Sequence, residues 1–498
     1  MKLNYTLIFL LTFSTLFSQE TSLKVTESKE FKDKLRSKRS NTLAIHTTED
    51  GKTGLLRSDK DDFYTYVFNN QMDDVSIRKV KKENKETYQG HVSFGDEIKF
   101  ITVNTTSKTK REVFCHSFNV KNDTYQKHFL FETKVEGSSL FNGYNKRLNN
   151  VVISPNGKYF AIATDNIKKN INAYNIKVYD SESLELVFDK DYNEHEDKNY
   201  VHNSLFVTND ATVYSLGKLQ NSRVFSRSED SKGNYTFTIS KISKDDYISN
   251  TISLDDDNFI SSLIINFHDG NLNLTGFYSE KKNKYIKGVC NFRLEDTALR
   301  VVYNRTDEIP FEIYQDFYRA KKAERLDDKK KEFSNYYIDH IINDDEGNLY
   351  IVAERFYVQS NIVSANGIGY TETTYNYDDI MIFKVDANAQ LAWGRGIMKR
   401  ALSPTYNAFV KNGNLHIILP SSKKLFEYKD GRVFVGMSGL SYGALYDFTF
   451  STNGEVSYNK IQDMKKRTNY LPFYGTYDNG RFIMPNTTKS KRRFMILE

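Results

Sequence analysis

The sequence predicts an all-β fold: a β-propeller of eight, alternatively seven, four-stranded blades with one helical insertion. Three observations carry that prediction. One tight turn is written eight times along the 498 residues. Most copies run straight into a short apolar strand. Tyr and Phe, 34 and 35 of them, are abundant, and such rings pack well on a pleated surface. The turn reads Glu49-Asp50-Gly51, Phe94-Gly95-Asp96, Pro155-Asn156-Gly157, Asn209-Asp210-Ala211, His268-Asp269-Gly270, Asp345-Glu346-Gly347, Lys411-Asn412-Gly413 and Asp478-Asn479-Gly480. Its mean spacing is about 61 residues, against roughly 40–50 for WD and kelch repeats, so the loops must be swollen.

The first element is an address. Lys2 supplies a positive start, Leu7 to Phe17 an apolar run, and Ser18 a small residue before Gln19. This is the pattern of a signal peptide at 1–18. The run is too short to span a bilayer, and no later apolar stretch is long enough, so no transmembrane segment is expected. The mature chain is therefore expected to be exported, periplasmic or secreted. A charged segment, 19–40, follows. The propeller occupies 41–498.

Blade architecture is clearest around Gly157. Asn149–Ser154 is a first strand, Tyr159–Thr164 a second, Asn175–Tyr179 a third and Leu184–Phe188 a fourth. Four short antiparallel strands in meander order make one blade. Further second strands start at Gly54, Ile98, Thr212, Leu272, Leu349, Leu415 and Phe482. Third-and-fourth hairpins are expected at Phe63–Val80, Val113–Phe131, Tyr235–Leu254, Tyr285–Tyr303, Ile380–Ile397 and Phe434–Ile461. The last unit lacks one strand, which Ser22–Thr26 is placed to supply, so that strands from both termini close the ring and leave no open edge.

Loop length localises function. The a–b turns are tight, so the excursions fall at the opposite end of the sheets, among b–c loops and d–a links. Asp307–Ser334 reads as a helical insertion between the fifth and sixth blades. Ile313, Phe317 and Ala320 are expected to share a face, as a plain cap on the ring or as a lid or docking element. The next b–c loop, Tyr357 to Asp379, carries Gly367, Gly369, Tyr370, Tyr375, Tyr377 and Asp378. Long loops on a rigid frame are where binding residues sit, and tyrosines there suit stacking on sugars or gripping a peptide. Glu354 and Arg355, at the end of the strand below, read as an ion pair or a ligand contact.

Two resemblances follow from the residues. Ser154-Pro-Asn-Gly-Lys-Tyr-Phe-Ala-Ile-Ala163, with Val178-Tyr-Asp-Ser-Glu-Ser183, resembles a blade of WD-repeat or Tol-type propellers. Asp345-Glu-Gly-Asn-Leu-Tyr350, Val352-Ala-Glu-Arg355, Tyr375-Asn-Tyr-Asp-Asp-Ile380 and Trp393-Gly-Arg-Gly-Ile-Met-Lys399 together resemble exported Bacteroidetes-type propeller proteins of unknown function. That likeness covers about a third of the chain. It implies a diderm bacterial source and an extracytoplasmic place, and transfers no catalytic residue.

Catalytic and metal motifs are weak. Gly439-Leu-Ser-Tyr-Gly443 matches the serine-hydrolase elbow, but that motif needs a following helix, and Ala444–Phe450 alternates like a strand. Asp255-Asp256-Asp257 reads as a solvated turn more readily than a cation site. His195 and His202 lack the partners and spacing of a zinc site. Cys115 and Cys290 read as buried free thiols, although export permits a disulfide. Net charge is +6 with the signs interleaved, and no basic stripe marks a nucleic-acid partner. No cofactor is expected. The leading expectation is a non-catalytic binding or scaffold module with a protein or glycan ligand of the cell envelope or exterior. That ligand is expected on the loop-rich face, contacted by Glu354, Arg355, Tyr357, Tyr370, Tyr375, Tyr377, Asp378 and Asp379. The alternative is a glycan lyase or hydrolase with carboxylates at the central channel.

Overall fold

A computed structural model describes residues 23–32, 41–73, 75–83, 85–135, 150–164, 174–192, 198–221, 235–254, 258–268, 270–280, 285–365, 368–436, 443–464, 469–486 and 491–498. The signal-peptide segment, Ser22, Asp255–Asp257, His195, Gly367 and most of the Gly439–Gly443 motif lie outside them. The architecture is almost all β, built of repeated four-stranded antiparallel sheets with one helical insertion.

Eight such sheets follow one another: sheet 1 within 41–81, sheet 2 within 87–134, sheet 3 within 151–192, sheet 4 within 198–252, sheet 5 within 259–308, sheet 6 within 336–401 and sheet 7 within 407–463. Sheet 8 takes three strands from 476–497, and its fourth, Val25–Glu27, comes from the other end of the chain and pairs antiparallel with Phe494–Leu497. Strands of each sheet are called a to d in meander order.

Each sheet joins the next through apolar side chains. Alternation along a strand sends one set of residues to each neighbouring sheet, so most central strands are buried on both faces. Leu56, Phe63, Ile98 and Phe100 fill the space between sheets 1 and 2. Tyr350, Ile382, Ile417 and Phe448 fill that between sheets 6 and 7. Ile45, Leu55, Ile483 and Ile496 join sheet 8 to sheet 1. Polar bonds between strands a add to this. Asn343 donates to Asn266 at 3.0 Å between sheets 6 and 5. The Tyr406 hydroxyl, beside strand a of sheet 7, donates to Asp339 of sheet 6 at 2.7 Å. His46 of sheet 1 reaches both neighbours: Nδ1 lies 2.5 Å from Asp478 of sheet 8, and Nε2 donates to the Gly95 carbonyl of sheet 2 at 2.8 Å.

The a–b turns share one backbone device. Each turn holds a residue of positive φ: Gly51, Gly95, Gly157, Gly270, Gly347, Gly413 and Gly480, with Ala211 at φ +69° in sheet 4, and Asn412 and Asn479 are positive as well before Gly413 and Gly480. Cys115 and Cys290 are buried and free.

Three expectations are corrected. The insertion is two helices, α1 (Phe311–Phe317) and α2 (Ala320–Asp328), because Tyr318 and Arg319 are extended between them. Ile313, Tyr314 and Phe317 are buried, and on α2 the buried residue is Ala323, while Ala320 is exposed. The Tyr357–Asp379 loop is instead a β-ribbon. Strands b and c of sheet 6, Leu349–Ala365 and Ile368–Val385, are 17 and 18 residues long and stay paired from Phe356↔Tyr377 out to Ala365↔Ile368. Thr371, Thr373, Thr374, Tyr375 and Tyr377 are strand-forming types, and pairing satisfies the backbone that a loop would leave open. In sheet 7, Phe434 is not in strand c, which is Ala444–Phe450. Val433–Val435 instead runs parallel to strand d of sheet 6 and extends that sheet.

Candidate functional site

The ribbon leaves sheet 6 at a β-bulge. Glu354 pairs with Ile380 and Phe356 with Tyr377, so Arg355 alone faces both Asp378 and Asp379. A bulge bends its strand and re-aims side chains. Here it turns Arg355 and Asp379 toward the helical insertion, and between them lies a notch of about 310 Å³. Tyr314, Tyr318, Lys322 and Leu326 come from the helices and the break between them. Lys331, Glu332, Phe333 and Ser334 come from the segment that follows, and Tyr336 opens strand a of sheet 6.

The walls of the notch are braced. Trp393-Gly-Arg-Gly396 on strand d of sheet 6 is the seat of α1. A Cβ at Gly396 would fall 2.7 Å from the Phe317 ring, and one at Gly394 3.0 Å from Ile313. Arg395 between them grips Asp316 with two bonds of 2.8 and 2.9 Å, and the Gly396 amide donates to the same carboxylate. Trp393 turns the other way, toward sheet 7, stacking on Phe450 and donating to the Thr452 carbonyl. On the far side, Ile286 and Tyr285 of sheet 5 pair with Phe333 and Ser334. Glu332 accepts from the Glu280 amide at 2.8 Å. Phe333 sits among Tyr314, Phe317, Tyr318 and Tyr336, centroids 5.1–6.3 Å away.

Charge is unevenly committed. Glu332 is spent on sheet 5. Among the described residues Lys322, Lys331 and Arg355 have no ion pair. Lys322 rests over the Tyr318 ring at 4.1 Å, and Arg355 over Tyr357 at 5.1 Å. The Asp379 carboxyl is pushed up to about 6, first by desolvation and further by the charge of Asp378; the amide of Lys399, bonded at 3.1 Å, offsets part of this. Burial, reinforced by the Asp379 charge, keeps the Tyr318 and Tyr336 phenols protonated. The notch thus combines aromatic walls, three available cations and one weakly acidic carboxyl.

The predicted residues divide. Arg355 and Asp379 line the notch. Tyr357 and Asp378 do not line it; they are joined to each other by a 2.9 Å bond, and Tyr357 lies under the Arg355 guanidinium. Glu354 points to the other face of the strand. Its partner is Lys399 at 2.7 Å, with 3% and 1% of the two side chains exposed, so the expected Glu354–Arg355 pair does not form. Alternation along a strand forbids it. Tyr377 packs on Phe356 at 4.9 Å. Tyr375 stacks on the same ring and is 53% exposed. At about 3.3 Å per residue, Tyr375 lies ~13 Å and Tyr370 ~30 Å along the ribbon from Asp379. The side chain of Tyr370 is outside the described residues.

Sequence reasoning missed Tyr318, Lys322, Phe333 and Tyr336. The aromatic residues bracketing the charged helical stretch were the available signal. Strands a also carry five histidines, His46, His91, His202, His268 and His340, of which the sequence reading weighed His202 alone. His91 accepts from the Tyr88 hydroxyl and is pushed down to about 4 by burial and by His46. The carboxylates on strands a, Asp339 and Asp478, are bonded to Tyr406 and His46. Among the described residues no cluster of His, Cys, Asp and Glu has the makings of a metal site, and no helix is long and apolar enough to cross a membrane.

No family model and no curated protein matches the chain. Solved propeller structures are similar at low identity. The Dos1 propeller is 7% identical with a TM-score of 0.43, covering 94% of each chain. The WD40 domain of SCAP from fission yeast is 8% identical with a TM-score of 0.40, covering 96% of each. Polysaccharide lyase Uly1 is 9% identical with a TM-score of 0.37, covering 82% of this chain and 89% of its own. The likeness is one of fold. It reaches enzymes and non-enzymes alike, and carries no Bacteroidetes-type or Tol-type link.

Proposed function

We propose that the eight sheets form a closed eight-bladed propeller, exported from its cell, that binds a carboxylate-bearing glycan in the notch between sheets 5 and 6. The cycle of contacts supports closure: sheet 8 packs on sheet 1, and the strand at Val25–Glu27 completes the last blade. The signal-type pattern at 1–18 supports export. One observation carries the binding reading. Three unpaired cations, Lys322, Lys331 and Arg355, converge on a cavity walled by Tyr314, Tyr318, Phe333 and Tyr336. Aromatic faces take the apolar side of a sugar ring, and cations take its carboxylate. The volume lies near the lower end of the range for ligand pockets.

Asp379 favours a second reading, turnover of the same ligand. A carboxyl near 6 beside Arg355 is poised to accept the proton next to a uronate carboxylate, while a tyrosine hydroxyl protonates the departing oxygen. This relocates the enzymatic alternative from the central channel to the notch. A panel of neutral and uronate-bearing oligosaccharides tests both readings. Retention of the acidic members, reduced about tenfold or more in Arg355→Ala, is the expected result. Equal retention of acidic and neutral members, or an unaffected variant, would sink the proposal. Unsaturated uronate in the product fraction, lost in Asp379→Asn, selects turnover over binding alone.

A further inference from the structure

Sheet 5 turns a partly polar face toward sheet 6 at the end of the a–b turns. Strand b is Asn271–Ser279 and strand c is Gly288–Leu294. Their even-numbered members, Leu272, Leu274, Cys290 and Phe292, pack toward sheet 4. The odd-numbered members face sheet 6. Phe277 and Val289 are apolar, as a sheet-to-sheet contact requires. The two rows nearer the turns are polar: Thr275 opposite Asn291, and Asn273 opposite Arg293. Sheet 6 meets this wall with Leu349 and Val385 and with the small Gly347, Ala387 and Ala389, and a gap of about 180 Å³ remains.

Two groups in the gap are incompletely used. Asn291 is 1% exposed, and its amide donates to the Ala389 carbonyl, yet its Oδ1 accepts no hydrogen bond. A buried acceptor without a donor is costly. Arg293 makes one long bond, 3.5 Å to Asn273, and no ion pair among the described residues.

We propose that this gap is a binding site for one neutral sugar ring, independent of the notch at the other end of the sheets. Asparagine amides offer a donor and an acceptor side by side, and a guanidinium offers parallel donors. That set matches adjacent hydroxyl groups. An anion is disfavoured because Glu346 and Asp386 also border the gap and outnumber Arg293. The gap holds about six waters' worth of space at ~30 Å³ each, so water is the competing occupant.

The test is titration of the full chain with a panel of neutral monosaccharides, followed by ligand-observed NMR and calorimetry. Saturable binding of at least one member is expected, weakened about tenfold or more in Asn291→Leu and in Ala387→Trp. Ala387 is exposed at the rim, so its replacement blocks the gap without touching the polar wall. Asn291→Leu is expected to melt no lower than the parent, since it removes a buried acceptor that has no donor. Arg355→Ala, in the notch, is expected to leave this binding unchanged. Absence of saturable binding in the parent, or binding that survives both gap variants, overturns the proposal and leaves water as the occupant.

Discussion

The two ends of the sheets are built on different terms. At the a–b turns, all eight sheets turn on residues at positive φ, two adjacent ones in sheets 7 and 8, and the requirement is local. At the other end, between sheets 5 and 7, no connection repeats another. Two helices, a long ribbon and an added parallel strand meet there, held by Arg395 on Asp316, Gly396 under Phe317 and Lys399 on Glu354. The uniform end closes hairpins cheaply. The irregular end gathers charges and rings from residues 314–379 into one cavity. Repetition supplies the frame, and departures from it supply the candidate site.

The sharpest way to break that contrast is at its base. Lys399→Met leaves the Glu354 carboxylate buried without its cation, and a loss of about 3–5 kcal/mol is expected in urea unfolding. The double variant with Glu354→Leu should recover most of it. A similar loss in both would show that the pair is incidental. Next in size is Gly396→Val. Its Cβ meets the Phe317 ring, α1 must lift, and overpacking costs about 2 kcal/mol. Limited proteolysis should then cut near 318–319, while the a–b turns stay protected.

The turn end is expected to respond less. Gly347→Ala forces a side chain into positive φ at +82°, its Cβ meeting nothing nearer than 3.5 Å, and should cost about 1–2 kcal/mol. Ala211→Gly relieves the same strain in sheet 4 and should gain about 0.5 kcal/mol. Opposite signs at equivalent positions would sharpen the comparison, and equal signs would break it. The pH-dependent effect concerns Asp379. Its folded pKa, about 6, lies above the unfolded value near 4, so the folded state holds its proton more tightly. Stability from this group is therefore full below pH 4 and falls as pH rises toward 6, then levels off. Asp379→Asn should remove that slope, which the rise from near 4 to about 6 puts at about 2–3 kcal/mol between pH 4 and pH 6. Affinity for an acidic glycan should fall across the same window, measured by titration at pH 5 and pH 7.

Much of the frame was legible in the chain. The positive-φ turns and the alternating strands are properties of a few adjacent residues, and the strand pairs at Phe63–Val80 and Val113–Phe131 lie where patterning puts them. Less of the candidate site was legible: of the residues lining the notch, two were singled out as contacts in the sequence. Arg355 and Asp379 stood out beside a long excursion. The ribbon was misread as a loop because Gly and Tyr in one stretch suggest irregular backbone, whereas pairing between 356–365 and 368–377 overrides local preference. Glu354 was grouped with Arg355 because adjacency in sequence hides the alternation of a strand.

The amino-acid sequence by itself determined the repeat, the tight turns and the apolar strands, because each depends on steric and hydration preferences that act within a few residues. Only the tertiary structure decided that one bulge turns Arg355 and Asp379 toward Tyr318 and Tyr336, and that Asn291 faces a gap between sheets. Those meetings depend on packing between segments tens to a hundred residues apart, where the closest fit of side chains, and not local preference, sets which groups share a cavity.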